Sequence, residues 1–150
     1  MKYLEALRQL GKNYDPFLHI QKEEIVDESK NFFVIAARAP YAENHLLIIP
    51  KKKVYLLKDL NWAEKEEMRE LLEKWTKNLH KKHKDVNLLL RDGLTWGNIW
   101  KSVNHLHFHL IPDCPIWAEN SFNVDDRERL DDESYIENTN RIKKIFLPKQ

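Results

Sequence analysis

The sequence predicts an α+β fold, with an antiparallel sheet of about five strands, one long helix, an N-terminal helix and a C-terminal extension. Two observations carry this. The hydrophobic period runs helix, strands, helix, strands, tail, with no internal repeat and no low-complexity linker. The chain has 150 residues, 42% hydrophobic and 33% charged, with six Pro and three Gly. That length suits one domain, and the balance is that of a globular chain rather than a disordered or collagen-like one.

Tyr3, Leu4, Leu7 and Leu10 fall on one helical face, and Gly11 is a natural stop. From residue 17 to 50 the pattern becomes extended, with Ile25 and Val26 in a charged stretch and two apolar runs at 31–37 and 44–49. These runs are short, β-branched and aromatic, and their near-continuous apolarity predicts central strands buried on both faces. Asn61 with Glu64 three residues later resembles a capping box, and Met68, Leu71, Leu72, Trp75 and Leu79 form one stripe. The helix is therefore expected over 62–82, with the basic run at 80–84 facing the negative end of its dipole. Residues 86–90 and 103–111 read as two further strands joined by a loop containing Gly93 and Gly97. A weak amphipathic helix is expected over 132–145, acids leading and Arg141, Lys143 and Lys144 trailing.

Composition excludes several roles. The longest apolar run, residues 32–37, is far short of the roughly 20 residues a membrane helix needs. A net charge of +1 argues against a broad polyanion surface, and an acidic tail after residue 118 discourages long nucleic acid. Charges early in the chain leave no secretory core, and the lone Cys114 excludes an internal disulfide. A cytoplasmic protein with no membrane partner is the expectation.

Chemistry concentrates in His105-Leu106-His107-Phe108-His109-Leu110-Ile111. On a strand, side chains alternate, so three imidazoles share one face and Leu106, Phe108 and Leu110 the other. A lone strand histidine is usually a packing or surface residue, but three at period two are hard to explain that way. Zinc is the lesser reading. The outer two Cα atoms stand roughly 13 Å apart, too far for one ion without strained rotamers. A pair plus ligands from elsewhere would be needed; His45 could supply one, but no metal-binding spacing supports it. The preferred reading is nucleophilic: a neutral imidazole with one nitrogen aimed at phosphorus and the other held by an acceptor.

With these residues in view, the sequence resembles the histidine-triad (HIT) family, whose signature alternates three histidines with apolar residues. The likeness extends from about residue 32 to 112 and includes His45-Leu46-Leu47-Ile48-Ile49-Pro50-Lys51-Lys52 and Ser102-Val103-Asn104-His105. It implies a single HIT-like domain over 1–150, with its core at about 17–112 and an extension at 113–150. It also implies a nucleotide hydrolase or transferase, without a cofactor or metal, acting on a nucleoside phosphoramidate, adenylylated compound or dinucleoside polyphosphate. Carried over, His107 becomes the nucleophile and the His105 carbonyl fixes its tautomer. His109 and His45 contact phosphate oxygens or support the charge there, and Ser102 hydrogen-bonds near the leaving group.

The departures bear on substrate. Trp100-Lys101 stands where relatives carry Gly-Gln, and a Lys there would hold a leaving-group oxygen as a point cation. Ala37 stands where relatives often bind ribose hydroxyls with Asp or Asn, and Asn44 replaces a Gly that may be exchanged where φ is positive. Asn98, Lys101, Trp96, Trp100 and Trp117 are the candidate substrate contacts; the Lys51-Lys52-Lys53 run is expected to be solvated. A nucleotide-binding module with little turnover is the rival reading, and a metal-dependent hydrolase the third. Relatives form two-fold dimers, so a homodimer through the helix from Trp62 and its neighbouring strand is expected; sedimentation as a single 18 kDa species would contradict it.

Overall fold

The computed structural model describes residues 1–11, 14–93, 101–115 and 127–147. Among them are three helices, α1 (Tyr3–Leu10), α2 (Trp62–Leu79) and α3 (Asp132–Phe146), and five strands. The strands are β1 (Ile25–Glu28), β2 (Phe32–Ala36), β3 (Leu46–Pro50), β4 (Val86–Leu90) and β5 (Phe108–Pro112). They form one antiparallel sheet in the order β1-β2-β3-β5-β4, so the two apolar runs and the histidine strand lie at its centre.

Strand periodicity separates two cores. Phe32, Val34, Ala36, Leu46, Ile48, Leu106, Phe108 and Leu110 face α2 and α3, where Leu71, Trp75, Leu79, Tyr135, Ile142 and Phe146 complete the larger core. Burying each large side chain stabilises the fold by about 1.5–3 kcal/mol relative to exposure. Ile35, Ala37, Leu47 and Ile49 point the other way and join Phe17 and Val103. The register Leu47↔His109 puts the histidines on this second face.

Local signals explain the helix ends. Asn61 Oδ1 accepts from Glu64 N at 2.8 Å and Glu64 returns the bond to Asn61 N at 2.9 Å, the reciprocal cap the sequence predicts. Gly11 closes α1 at φ 94°, a value that favours glycine. Helix α2 stops at Leu79, earlier than the expected 82. Lys81 N and Lys82 N bond three residues back, to Asn78 O and Leu79 O, so the chain tightens into turns.

Strand β5 corrects the expectation for 103–111, since it begins at Phe108. Extending the β3–β5 register would set Leu106 opposite Pro50, which has no N–H to donate. Leu106 N instead bonds Val54 O at 2.8 Å. His105 and His107 thus precede the ladder, and the chain still alternates its faces: Leu106 joins the larger core. Asn44 adopts φ 63°, the backbone setting for which Asn is a workable substitute for Gly.

Trp62 at the start of α2 is 79% exposed, and Leu88 of edge strand β4 is 53% exposed. Tyr3 N bonds Arg127 O and Arg129 N bonds Met1 O, both at 3.0 Å. This pairing draws α1 and the segment from Arg127 together against the histidine face.

Candidate active site

The cleft over the second face is lined by His45, His107, His109 and Ser102. Its walls include Tyr3 and Leu7 from α1, Phe17, Ala37, Tyr41, Arg91 and Arg127. His107 is buried, with its ring centroid 4.8 Å from that of His109 and 5.0 Å from Phe17.

Hydrogen-bond partners fix where each proton sits. His107 Nδ1 lies 2.7 Å from the His105 carbonyl, which can only accept, so Nδ1 carries the proton and Nε2 the lone pair. Tyr41 N donates to His45 Nδ1 at 3.1 Å, so in neutral His45 the proton is on Nε2. That nitrogen lies 2.9 Å from His109 Nδ1 and donates to it. His109 must then carry its proton on Nε2, a buried nitrogen with no partner among the described residues. The chain Tyr41–His45–His109 therefore ends in an unpaired N–H beside the ring of His107.

Burial pushes all three rings toward the neutral form, His45 to about 3, His107 to about 4 and His109 well below the usual histidine value. The His105 carbonyl partly opposes this at His107 by accepting a hydrogen bond from its Nδ1–H. The rings of His45, His107 and His109 are uncharged at neutral pH.

His105 plays a different part. Its Nε2 lies 2.8 Å from Pro50 O and its Nδ1 2.8 Å from Asp15 Oδ2, acceptors on both sides. These two acceptors hold the ring from both sides and commit both of its nitrogens. Asp15 also receives Lys53 Nζ at 2.9 Å and Phe17 N at 3.0 Å. Burial works to raise the Asp15 pKa, but the bonds from His105 and Lys53 hold it below the ordinary carboxylate range. The fully buried His105 ring is thus a strut behind His107 and does not reach the cleft.

The remaining expectations divide. Ser102 lines the cleft, and its hydroxyl pairs with that of Tyr3. Lys101 is a correction: it is 1% exposed, and Nζ donates to Tyr55 O at 3.0 Å and Gly93 O at 3.1 Å. A buried ammonium needs such acceptors, so it ties two loops together and does not line the cleft. Burial lowers its pKa. Lys51, Lys52 and Lys53 pair with Glu28, Glu64 and Asp15, at 2.7, 2.8 and 2.9 Å, which corrects the expectation that this run is merely solvated. Asn98, Trp96, Trp100 and Trp117 lie outside the described residues. Among the described residues no group of three or more His, Cys, Asp or Glu side chains is arranged to hold a metal ion.

Sequence reasoning missed Asp15, Arg91, Arg127 and Tyr3. Asp15 had one usable signal, its place before Pro16 at the start of a short helical turn, where its side chain caps Phe17 N.

A family model described as the HIT domain matches residues 20–115, more than half of the chain. An uncharacterized HIT-like protein from Chlamydia trachomatis is 34% identical over 89 residues, covering 57% of this chain and 77% of that one. Among solved structures, the Caenorhabditis elegans NitFhit protein superposes with a TM-score of 0.66 at 22% identity. That match covers 84% of this chain but 28% of the longer NitFhit chain. A diadenosine triphosphate hydrolase from Plasmodium falciparum superposes with a TM-score of 0.65 at 21% identity, covering 83% and 77% of the two chains. At these identities the superpositions speak for the fold alone. The family model does more, because the residues it matches hold the His105-His107-His109 alternation and the strands that present it, and on that ground the chain belongs to the HIT family.

Proposed function

We propose that the protein is a nucleotide hydrolase or nucleotidyl transferase in which His107 attacks the α-phosphorus of a nucleotide conjugate. One observation carries the reading: among the four histidines at the site, His107 Nε2 is the one ring nitrogen left with an uncommitted lone pair, and it lies in the cleft.

In the first step the Nε2 lone pair forms a P–N bond, and the departing oxygen or nitrogen leaves with the bonding pair. It takes a proton from Ser102 or solvent where its basicity requires one. The unpaired Nε2–H of His109 is the donor for a non-bridging phosphate oxygen, since a buried donor without a partner gains most from an arriving acceptor. Water or another acceptor then attacks phosphorus and gives up its proton to Ser102 or solvent, which restores the proton spent in the first step; the P–N bond breaks and His107 recovers its lone pair. The substrate classes that fit are nucleoside phosphoramidates, adenylylated compounds and dinucleoside polyphosphates. The P. falciparum hydrolase, a structure of the same fold, carries the last class in its name.

A second reading, nucleotide binding with little turnover, draws on Lys101 being turned from the cleft and on Ala37 lining it without a polar group. Assaying the purified chain on adenosine- and guanosine-based phosphoramidates and polyphosphates, with and without chelator, separates these readings. Chelator-resistant release of nucleoside monophosphate is expected; binding without release favours the second reading, and loss of activity on chelation favours a metal.

A further inference from the structure

Part of the cleft wall comes from outside residues 20–115, and it carries charge that the imidazole chemistry does not use. Arg127 lies in the C-terminal extension, with its guanidinium 4.3 Å from the ring centroid of Tyr3 and 3.9 Å from that of Tyr41. Its Nη1 donates to Ala39 O at 2.7 Å, while its Nε is buried with no acceptor among the described residues. A guanidinium gripped between two aromatic faces is held in place rather than sampling solvent. Burial lowers its pKa, yet an arginine in a protein stays charged.

No carboxylate among the described residues comes within ion-pair distance of Arg127 or of Arg91, which also lines the cleft. By contrast Arg38 has Glu24 at 3.9 Å and Asp132 in direct contact. Among the described residues, two cations without a carboxylate partner therefore line a cleft of neutral imidazoles. A partly buried cation with no carboxylate beside it is poorly stabilised, and an anion that supplies the missing acceptors is favoured there. Position narrows the choice further. Arg127 packs on Tyr41, whose ring centroid lies 5.8 Å from that of His45; His45 lies 5.1 Å from His109, and His109 4.8 Å from His107. Arg127 thus joins the cleft at the Tyr41–His45 end of this row of rings, with His107 at the other end.

We propose that Arg127, assisted by Arg91, binds a second phosphate of the substrate, next to the one attacked, and so selects phosphate-chain substrates over phosphoramidates with an uncharged amine. This rests on the proposed chemistry at His107 for its catalytic consequence, but not for the binding itself. Arg127 is here a specificity residue, contributed by the extension and set by Tyr3 of α1.

Inorganic tripolyphosphate, which needs neither a base nor turnover, is the direct probe. Calorimetric titration of the full chain and of Arg127→Gln should show binding weakened at least tenfold by the substitution, with Arg127→Lys in between. Arg91→Gln should weaken it too, and serves if Arg127→Gln does not fold. In kinetics, the ratio of kcat/KM for a dinucleoside polyphosphate to that for a phosphoramidate of the same nucleoside should fall at least tenfold in Arg127→Gln. Equal tripolyphosphate affinity in wild type and both Gln variants, or an unchanged ratio, overturns the proposal. Arginine-dependent tripolyphosphate binding in a protein that turns over nothing would instead retire the His107 chemistry and leave the anion site standing.

Discussion

His107→Ala lowers turnover of any nucleotide conjugate the protein cleaves by on the order of 10⁴-fold or more. The size of the effect follows from the proton map of the cleft. His45 Nδ1 is occupied by the Tyr41 N–H, and its other nitrogen donates to His109. His109 is left with an N–H, a donor and not a nucleophile. Both nitrogens of His105 face acceptors. No imidazole can therefore replace His107 without breaking the network that orients it. Nucleoside monophosphate binding and circular dichroism of the variant should stay close to wild type, which separates a lost nucleophile from a lost fold. Turnover within tenfold of wild type on substrates the native enzyme cleaves would refute the assignment.

Acidification destabilises the protein well before its carboxylates titrate. His45 and His107 have folded-state pKa values of about 3 and about 4, and His109 lies well below its usual value, whereas an unfolded histidine titrates near 6.5. Above that value both states are neutral and no effect arises. Below it the unfolded chain takes up protons that the folded chain refuses, so stability falls as pH falls, down to the folded-state values. By pH ~4.5 His45 and His107 each cost about 2–3 kcal/mol, a large part of a typical domain's 5–15 kcal/mol, and His109 adds to the loss in the same direction. Asp15, Glu64, Asp113, Glu128 and Asp131 have pKa values lowered by their partners and add to the loss only at lower pH. Urea unfolding between pH 7.5 and 4.5 checks this. The midpoint should drop steadily below pH 6.5, and His107→Gln should flatten the slope by one proton's worth. A midpoint independent of pH across that range would contradict the burial of these rings as neutral groups.

The features legible in the sequence were those with a period. Alternation over 105–111 and the apolar runs at 31–37 and 44–49 dictate which face each side chain takes, because a one-residue slip would exchange core and cleft. The stripe from Met68 to Leu79 and the Asn61–Glu64 pair likewise identify α2 and its start. Features made by distant parts of the chain had no such signal. Asp15 reaches His105 across 90 residues and Arg127 reaches Ala39 across 88, and nothing in the local pattern of either announces the meeting. Lys101 misled for a related reason: its charge suggested a ligand, but the carbonyls of Tyr55 and Gly93 claim it. The point where β5 begins was set by Pro50 on the opposing strand, a constraint visible only once the register is known.

The central claim is a covalent bond between His107 and phosphorus. Mixing the enzyme with a cleavable nucleotide conjugate, denaturing within milliseconds under conditions that preserve P–N bonds, and mapping peptides by mass spectrometry tests it directly. A nucleoside monophosphate mass on the His107 peptide, absent from His107→Ala, is the expected result. Full product release with that peptide unmodified at every time point, or the adduct on His45, His105 or His109, would contradict it.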